Sequence, residues 1–234
     1  MSFSRRGGAR IGAGRPKSPT SGVPHLSRPA LSGREPVHVT MRVCEHVFQL
    51  RSRRCFAVIR AALAAGCDRH GLRVTSISVQ GNHLHLIAEA GSAPALSRGL
   101  QALAVRLARG LNRLMGRTGR VFADRYHSHV LRTPREVRAA LAYVAGNASR
   151  HAAQYGRPVA TPSSDPFTIG YFGERVLLPP DGARLVAEPR TWLLCAGWRR
   201  AGAAPATRSW TPRPARDGPA QSAPAARPAC RPGP

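Results

Sequence analysis

Apolar and polar positions change period several times along the 234-residue chain, and each change marks an element. Val37-His38-Val39-Thr40-Met41-Arg42-Val43 alternates with period two, which predicts a first strand. From Arg53 to Cys67 the residues Phe56, Ile59 and Leu63 recur at helical spacing, and Gly71 ends the segment. Alternation returns over Val74–Val79 and His83–Ala88, with the turn pair Gly81-Asn82 between them, so this stretch reads as a β-hairpin. After Gly91 a long helix is predicted, with Ser92 as cap and Pro94 in the first turn. Leu96, Leu100, Leu103, Leu107, Leu111 and Leu114 form its apolar stripe, and Gly116 to Gly119 end it. Val121 to Leu131 reads as a fourth strand carrying Phe122 and Tyr126. Thr133-Pro134-Arg135-Glu136 is a capping box with proline at the first helical position. The helix it opens runs to about His151, with Val137, Leu141, Val144 and Ala148 on its buried side.

The order strand, helix, strand, strand, helix, strand predicts an α+β, ferredoxin-like β-α-β-β-α-β sandwich, with the last helix added at its C-terminal end. This domain is assigned to residues 36–155. Residues 1–35 are Gly, Arg, Pro and Ser with little apolar periodicity and read as a disordered basic arm. Residues 156–200 read as a partly ordered extension, with a docked segment over Asp165–Phe172 and an apolar turn over Thr191–Trp198. Residues 201–234, rich in Pro, Ala and Arg, read as a disordered tail.

Charge narrows the partners. Lys and Arg number 36 against 11 acidic residues, a net charge of +25, and Lys17 is the sole lysine. GC-rich coding inflates Arg together with Ala, Gly and Pro, but it does not explain the scarcity of acidic residues. The excess favours a polyanion, because each phosphate contact releases condensed counterions. Arg106, Arg109 and Arg113 fall off the leucine stripe, as a solvated basic face or a nucleic-acid groove would require, and Arg120 and Arg125 follow in the next segment. Gly14-Arg15-Pro16-Lys17 resembles an AT-hook core, though a plain electrostatic tether explains it better. Cys44, Cys55, Cys67, Cys195 and Cys230 form no C-x-x-C pair, which fits reduced thiols in the cytoplasm better than disulfides or a zinc site. No apolar run approaches the ~18 residues of a membrane span. Ser4-Arg5-Arg6 lacks the apolar region that a twin-arginine signal needs.

The candidate chemistry lies on the hairpin. His83 and His85 alternate with Leu84 and Leu86, so both imidazoles leave one face of the strand. Two imidazoles so spaced can converge on one divalent cation, although an H-x-H match alone is common. His127 and His129 form a second pair around Ser128 with no tight turn before it, and phosphate contact or surface exposure explains them better than metal binding. On the last helix Tyr143, Asn147, Arg150 and His151 cluster on a face about a third of a turn from the apolar stripe. A tyrosine there is also what an amphipathic residue at the edge of a core looks like.

Taken together, the segments HVTMRV, SVQGNHLHLIAEA, GRVFADRYHSHVL and TPREVRAALAYVAGN resemble the single-tyrosine HUH transposases, nearest their REP-associated branch. The resemblance covers residues 36 to 151 and implies a single-stranded DNA transposase or endonuclease acting on hairpin-bearing DNA. It implies His83, His85 and Asn147 as ligands of Mg2+ or Mn2+, and Tyr143 as the nucleophile that forms a 5′-phosphotyrosine. Contacts to DNA fall to Arg15, Arg106, Arg109, Arg113, Arg120, Arg125 and Arg150. It further implies a cytoplasmic, nucleoid-associated bacterial protein with no membrane partner, and it admits a homodimer. Branch members carry Asn-Pro after the tyrosine, whereas Asn147 here precedes Ala148. The alternatives are a domesticated protein that grips DNA hairpins without cutting them, and an RNA-binding sheet. The last needs aromatic residues on its central strands, where this chain has histidine and serine.

Overall fold

The computed structural model describes residues 30–47, 49–154 and 165–202; the arm with Arg15 and the tail from residue 203 lie outside them. The strands are β1 (Val37–Arg42), β2 (Asp68–Arg69), β3 (Leu72–Val79), β4 (His83–Ala90), β5 (His127–Val130), β6 (Thr168–Phe172) and β7 (Arg175–Leu177). The helices are α1 (Arg53–Ala64), α2 (Ala93–Leu114), α3 (Pro134–Gln154) and the short α4 (Trp192–Cys195), followed by a 3-10 turn over Gly197–Ala201. One open sheet runs β5-β1-β4-β3-β6-β7, with β2 paired to β3, and the pairings are antiparallel. The result is a mixed α+β fold.

Alternation along the strands decides what covers each face. Val37, Val39 and Met41 of β1 and Leu84 and Leu86 of β4 join Ile59 and Leu63 of α1 and the leucine stripe of α2 in the main core. Ile87, which shares a face with His83 and His85, packs instead with Val137, Leu141 and Val144 of α3 and Leu193 and Leu194 of α4. So α1 and α2 cover one face of the sheet, and α3 and α4 cover the face that bears the histidines. The approach of α2 to the sheet depends on Gly99, where an added Cβ would come 2.2 Å from Cβ of Leu72.

The ends of the helices follow local chemistry. Ser92 accepts from the amide of Ala95 with Pro94 in the first turn, and Ser52 does the same for Cys55 on α1. At α3 Glu136 accepts from the amides of Arg132 and Thr133 while Thr133 Oγ1 accepts from the Glu136 amide, a complete capping box.

Three segments differ from the sequence expectations. The core begins before Pro36, with Leu31 already buried. The fourth strand is confined to His127–Val130, because Arg120 turns its guanidinium onto the carbonyls of Phe122 and Ala123 and folds that stretch into a loop. Phe122 keeps only a lone bridge to Val43. Beyond residue 165 the chain does more than dock: β6 pairs with β3 and β7 extends the same sheet. Buried Glu89 holds the next segment, accepting from Arg73, from the Arg190 amide at 3.0 Å and from the Thr191 amide at 2.7 Å. Among the described residues no helix is long and apolar enough to cross a membrane.

Candidate functional site

Strand register assembles the polar residues. Across the sheet Arg42 is the partner of His83, Thr40 the partner of His85, and His127 the partner of Thr40. His38 is the partner of His129. Cross-strand partners point to the same side, so His38, Thr40, Arg42, His83, His85, His127 and His129 share the face on which α3 lies.

At its centre the Nε2 atoms of His83 and His85 are 3.0 Å apart. The outer nitrogens have other partners. His83 Nδ1 is 2.7 Å from Asn82 Oδ1, which can only accept, so Nδ1 carries the proton and Nε2 keeps its lone pair. His85 Nδ1 is 3.1 Å from His38 Nε2 and 3.2 Å from Thr40 Oγ1. His85 Nδ1 can donate to either partner, which leaves its Nε2 an acceptor, or accept from the Thr40 hydroxyl, which leaves its Nε2 a donor toward His83. In the first tautomer two nitrogen lone pairs face one point, where a proton or a metal ion would sit between them. Ligand atoms about 2.1 Å from a common ion and this far apart subtend about 90°, the cis angle of an octahedral site. The pair therefore fits a hexacoordinate divalent cation.

Tyr143 packs against the rings of His85 and His38. Its centroid is 5.3 Å from that of His85 and 5.9 Å from that of His38, edge-on to both at 84°. Asn147, one helical turn further on, is buried, and its Nδ2 has no hydrogen-bond partner among the described residues. Turning the amide over exchanges its nitrogen and oxygen, so the same group can offer Oδ1 as a hard ligand. Among the described residues no group of three or more His, Cys, Asp or Glu side chains is placed to hold a metal. A site here is completed by an amide and by substrate or solvent oxygen, or not at all.

His38 is 1% exposed, and burial pushes its imidazole down to about 3, with the charges of His129 and His127 adding to the shift. It stands neutral beside His85. Sequence reasoning missed His38, Thr40 and Arg42 as site residues. The alternation of the first strand already put all three on one face, but no local signal says which strand lies beside β4.

The sequence-nominated arginines scatter. Arg106, Arg109 and Arg113 ride on α2, across the sheet from the histidines, and Arg106 donates to the carbonyl of Ala102. Arg120 is engaged within its own loop and Arg125 is exposed there. Arg15 and the Arg150 side chain lie outside the described residues. His129, on the edge strand, is 3.5 Å from Glu136.

No protein-family model matches the chain, and no curated protein does. Among solved structures, a REP-associated tyrosine transposase bound to a REP hairpin is similar at 16% identity with a TM-score of 0.49, covering 62% of this chain and 82% of that one. A candidate transposase from Deinococcus radiodurans R1 is similar at 14% identity and a TM-score of 0.34, over 47% of this chain and 85% of that one. Likeness at this level assigns neither activity nor family.

Proposed function

We propose that this protein is a single-tyrosine HUH nuclease and strand transferase, which cuts and rejoins single-stranded, hairpin-bearing DNA. The observation that carries the reading is the convergence of His83 Nε2 and His85 Nε2, 3.0 Å apart, with the ring of Tyr143 edge-on to His85. The strand order β5-β1-β4-β3, fourth–first–third–second among the four core strands, supports the ferredoxin-like form of the fold. A bound Mg2+ or Mn2+ supplies Lewis acidity toward a phosphate oxygen. His83 and His85 would hold that ion, with Asn147 Oδ1 as a third donor.

Tyr143 attacks the phosphorus. The Tyr143 Oη–P bond forms as the P–O3′ bond breaks; the phenolic proton goes to solvent, and the departing 3′-oxygen takes a proton to become a hydroxyl. The 5′-phosphotyrosyl bond conserves the energy of the phosphodiester, so a second 3′-hydroxyl can reverse the step and join strands without a nucleotide cofactor. Arg42, exposed and in register with His83, is the cation best placed to neutralise the phosphate. Within one chain Tyr143 packs edge-on to His85, which in turn meets His83; this contact supports attack by a chain's own tyrosine.

A covalent-capture assay tests this. With Mn2+ and a hairpin-tipped strand labelled 3′ of the cut, the label becomes attached to protein through denaturation, and peptide mass spectrometry places it on Tyr143. Tyr143→Phe binds the hairpin and forms no adduct. An adduct on Tyr126, or undiminished cleavage by Tyr143→Phe, overturns the assignment. Tight hairpin binding with neither cleavage nor adduct leaves the domesticated binder instead.

A further inference from the structure

At the end of the sheet remote from His83, beside the start of α3, lies a cavity of about 610 Å3. Beyond the paired residues Val37 and Val130, the Leu131 amide donates to the Pro36 carbonyl at 2.8 Å. Arg34 and Glu35 precede that bond and Arg132 follows it; all three line the cavity together with Arg190, Thr191 and Trp192. The walls are fixed from behind. Gly33 has a φ of 78°, and an added Cβ would meet the Gly91 carbonyl oxygen at 3.0 Å. The amides of Arg190 and Thr191 are anchored on buried Glu89. The ring of Trp192 rests against Gly197, where an added Cβ would fall 2.6 Å from Cζ3.

Three features separate this cavity from an ordinary solvated basic surface. The guanidinium groups of Arg34, Arg132 and Arg190 have no hydrogen-bond or ion-pair partner among the described residues. Trp192 is 50% exposed although its backbone is held, with the Arg200 guanidinium 5.1 Å from its ring centroid. Thr191 is 7% exposed, yet its hydroxyl caps nothing on α4 and has no partner among the described residues. A buried hydroxyl left unpaired is destabilising, so it marks a place that a ligand atom can complete. Guanidinium forks match phosphate oxygens, and an indole stacks on a base. Among the lining groups three cations against the Glu35 carboxylate leave two positive charges, the match of a phosphate monoester near neutral pH. Ser32 donates to Oε2 of Glu35 from its amide and its hydroxyl, which leaves Oε1 to accept from a sugar hydroxyl. Along a strand of phosphates the same carboxylate is repulsive. The volume lies within the ~300–1,000 Å3 of ligand clefts.

We propose that this cavity binds a free nucleoside 5′-monophosphate, with the phosphate on Arg34, Arg132 and Arg190, the base on Trp192, and the Thr191 hydroxyl bonded to a phosphate oxygen. Val37 at this end and Arg42, the register partner of His83, are about 17 Å apart along β1. The site is therefore separate from the histidine pair, and the inference does not rest on the strand-cutting reading.

The test titrates the full chain by calorimetry with the common nucleoside 5′-monophosphates, at about 0.15 M salt so that exposed charges are screened. Inorganic phosphate and the parent nucleosides serve as controls. At least one nucleotide binds at one site per chain, and phosphate or nucleoside alone binds far more weakly. Trp192→Ala loses about 5- to 150-fold in affinity, the worth of a stacked base. Thr191→Val keeps the shape of the side chain and loses about 10- to 150-fold, as for a hydroxyl bonded to a charged group. It melts no lower than the natural protein, whereas a hydroxyl that served the fold would lower the melting temperature. Absence of binding by every nucleotide overturns the proposal, as does undiminished affinity in either variant. Inorganic phosphate bound as tightly as any nucleotide means an adventitious ion only and overturns it too. So does a single-stranded oligonucleotide that needs Trp192 for its own affinity and excludes every mononucleotide, since the cavity is then a contact for DNA. A nucleotide bound by a protein that forms no Tyr143 adduct refutes the catalytic reading and leaves this site standing.

Discussion

His38 Nε2 lies 3.1 Å from Nδ1 of His85, with the two imidazoles stacked 5.2 Å apart at 18° between planes. A ligating histidine gains orientation and basicity from the partner of its second nitrogen; on the proposed reading His85 is such a ligand, and its second nitrogen meets another buried histidine, with Thr40 Oγ1 also at 3.2 Å.

His38→Ala is therefore expected to weaken Mn2+ binding about 10- to 100-fold, the usual consequence of losing such a partner, as read by titrating free Mn2+ with electron paramagnetic resonance. His38→Asn restores an acceptor and recovers part of the loss. Equal Mn2+ affinity in all three proteins would show that His38 merely packs.

The Asn147 amide has a different signature. A buried polar atom without a partner costs about 1–3 kcal/mol, and Asn147 Nδ2 is one. Asn147→Leu should therefore melt no lower than the natural protein, and at about 2–4 °C per kcal/mol up to several degrees higher, while forming no phosphotyrosyl adduct. A substantial fall in melting temperature would mean that the amide serves the fold.

Glu89 links the sheet to the segment that covers α3. Its carboxylate, 1% exposed, accepts from Arg73 and from the amides of Arg190 and Thr191. Glu89→Ala leaves these donors without an acceptor and should cost about 3–5 kcal/mol, as breaking a buried charged network does. Urea unfolding measures the loss, and limited proteolysis should then cut near residue 190. A variant that unfolds at the natural midpoint would show that Leu193 and Leu194 hold the segment unaided.

Acid should loosen α3 first. Desolvation alone would raise the Glu136 carboxyl, but hydrogen bonds from Arg132 and Thr133 and the charge of His129 outweigh it and hold the carboxyl below its ordinary value. A carboxyl lowered on folding stabilises above its unfolded value and loses that contribution as pH falls through the folded one. Glu136→Gln should thus lose about 0.5–1 kcal/mol of cap at neutral pH and show less acid dependence between pH 5 and 3. Thermal melts across that range decide it; parallel curves for both proteins would refute the linkage.

What the sequence determined by itself were the properties set by neighbours along the chain. Strand alternation put His83 and His85 on one face, the leucine stripe made α2, and Thr133 with Glu136 started α3, because side-chain direction and capping are local. The helical period also grouped Tyr143 with Asn147. Only the tertiary structure decided what those faces meet. Strand register brought His38, Thr40 and Arg42 beside the histidine pair, a relation between residues some 45 positions apart that no spacing encodes. The layer order placed Arg106, Arg109 and Arg113 of α2 on the far side of the sheet, since their stripe must bury against the leucine face of β4. The loop that Arg120 folds broke the expected fourth strand and turned Phe122 and Tyr126 toward α2 around a cavity. A strand-like pattern there gave way to hydrogen bonds from a side chain, which alternation does not register.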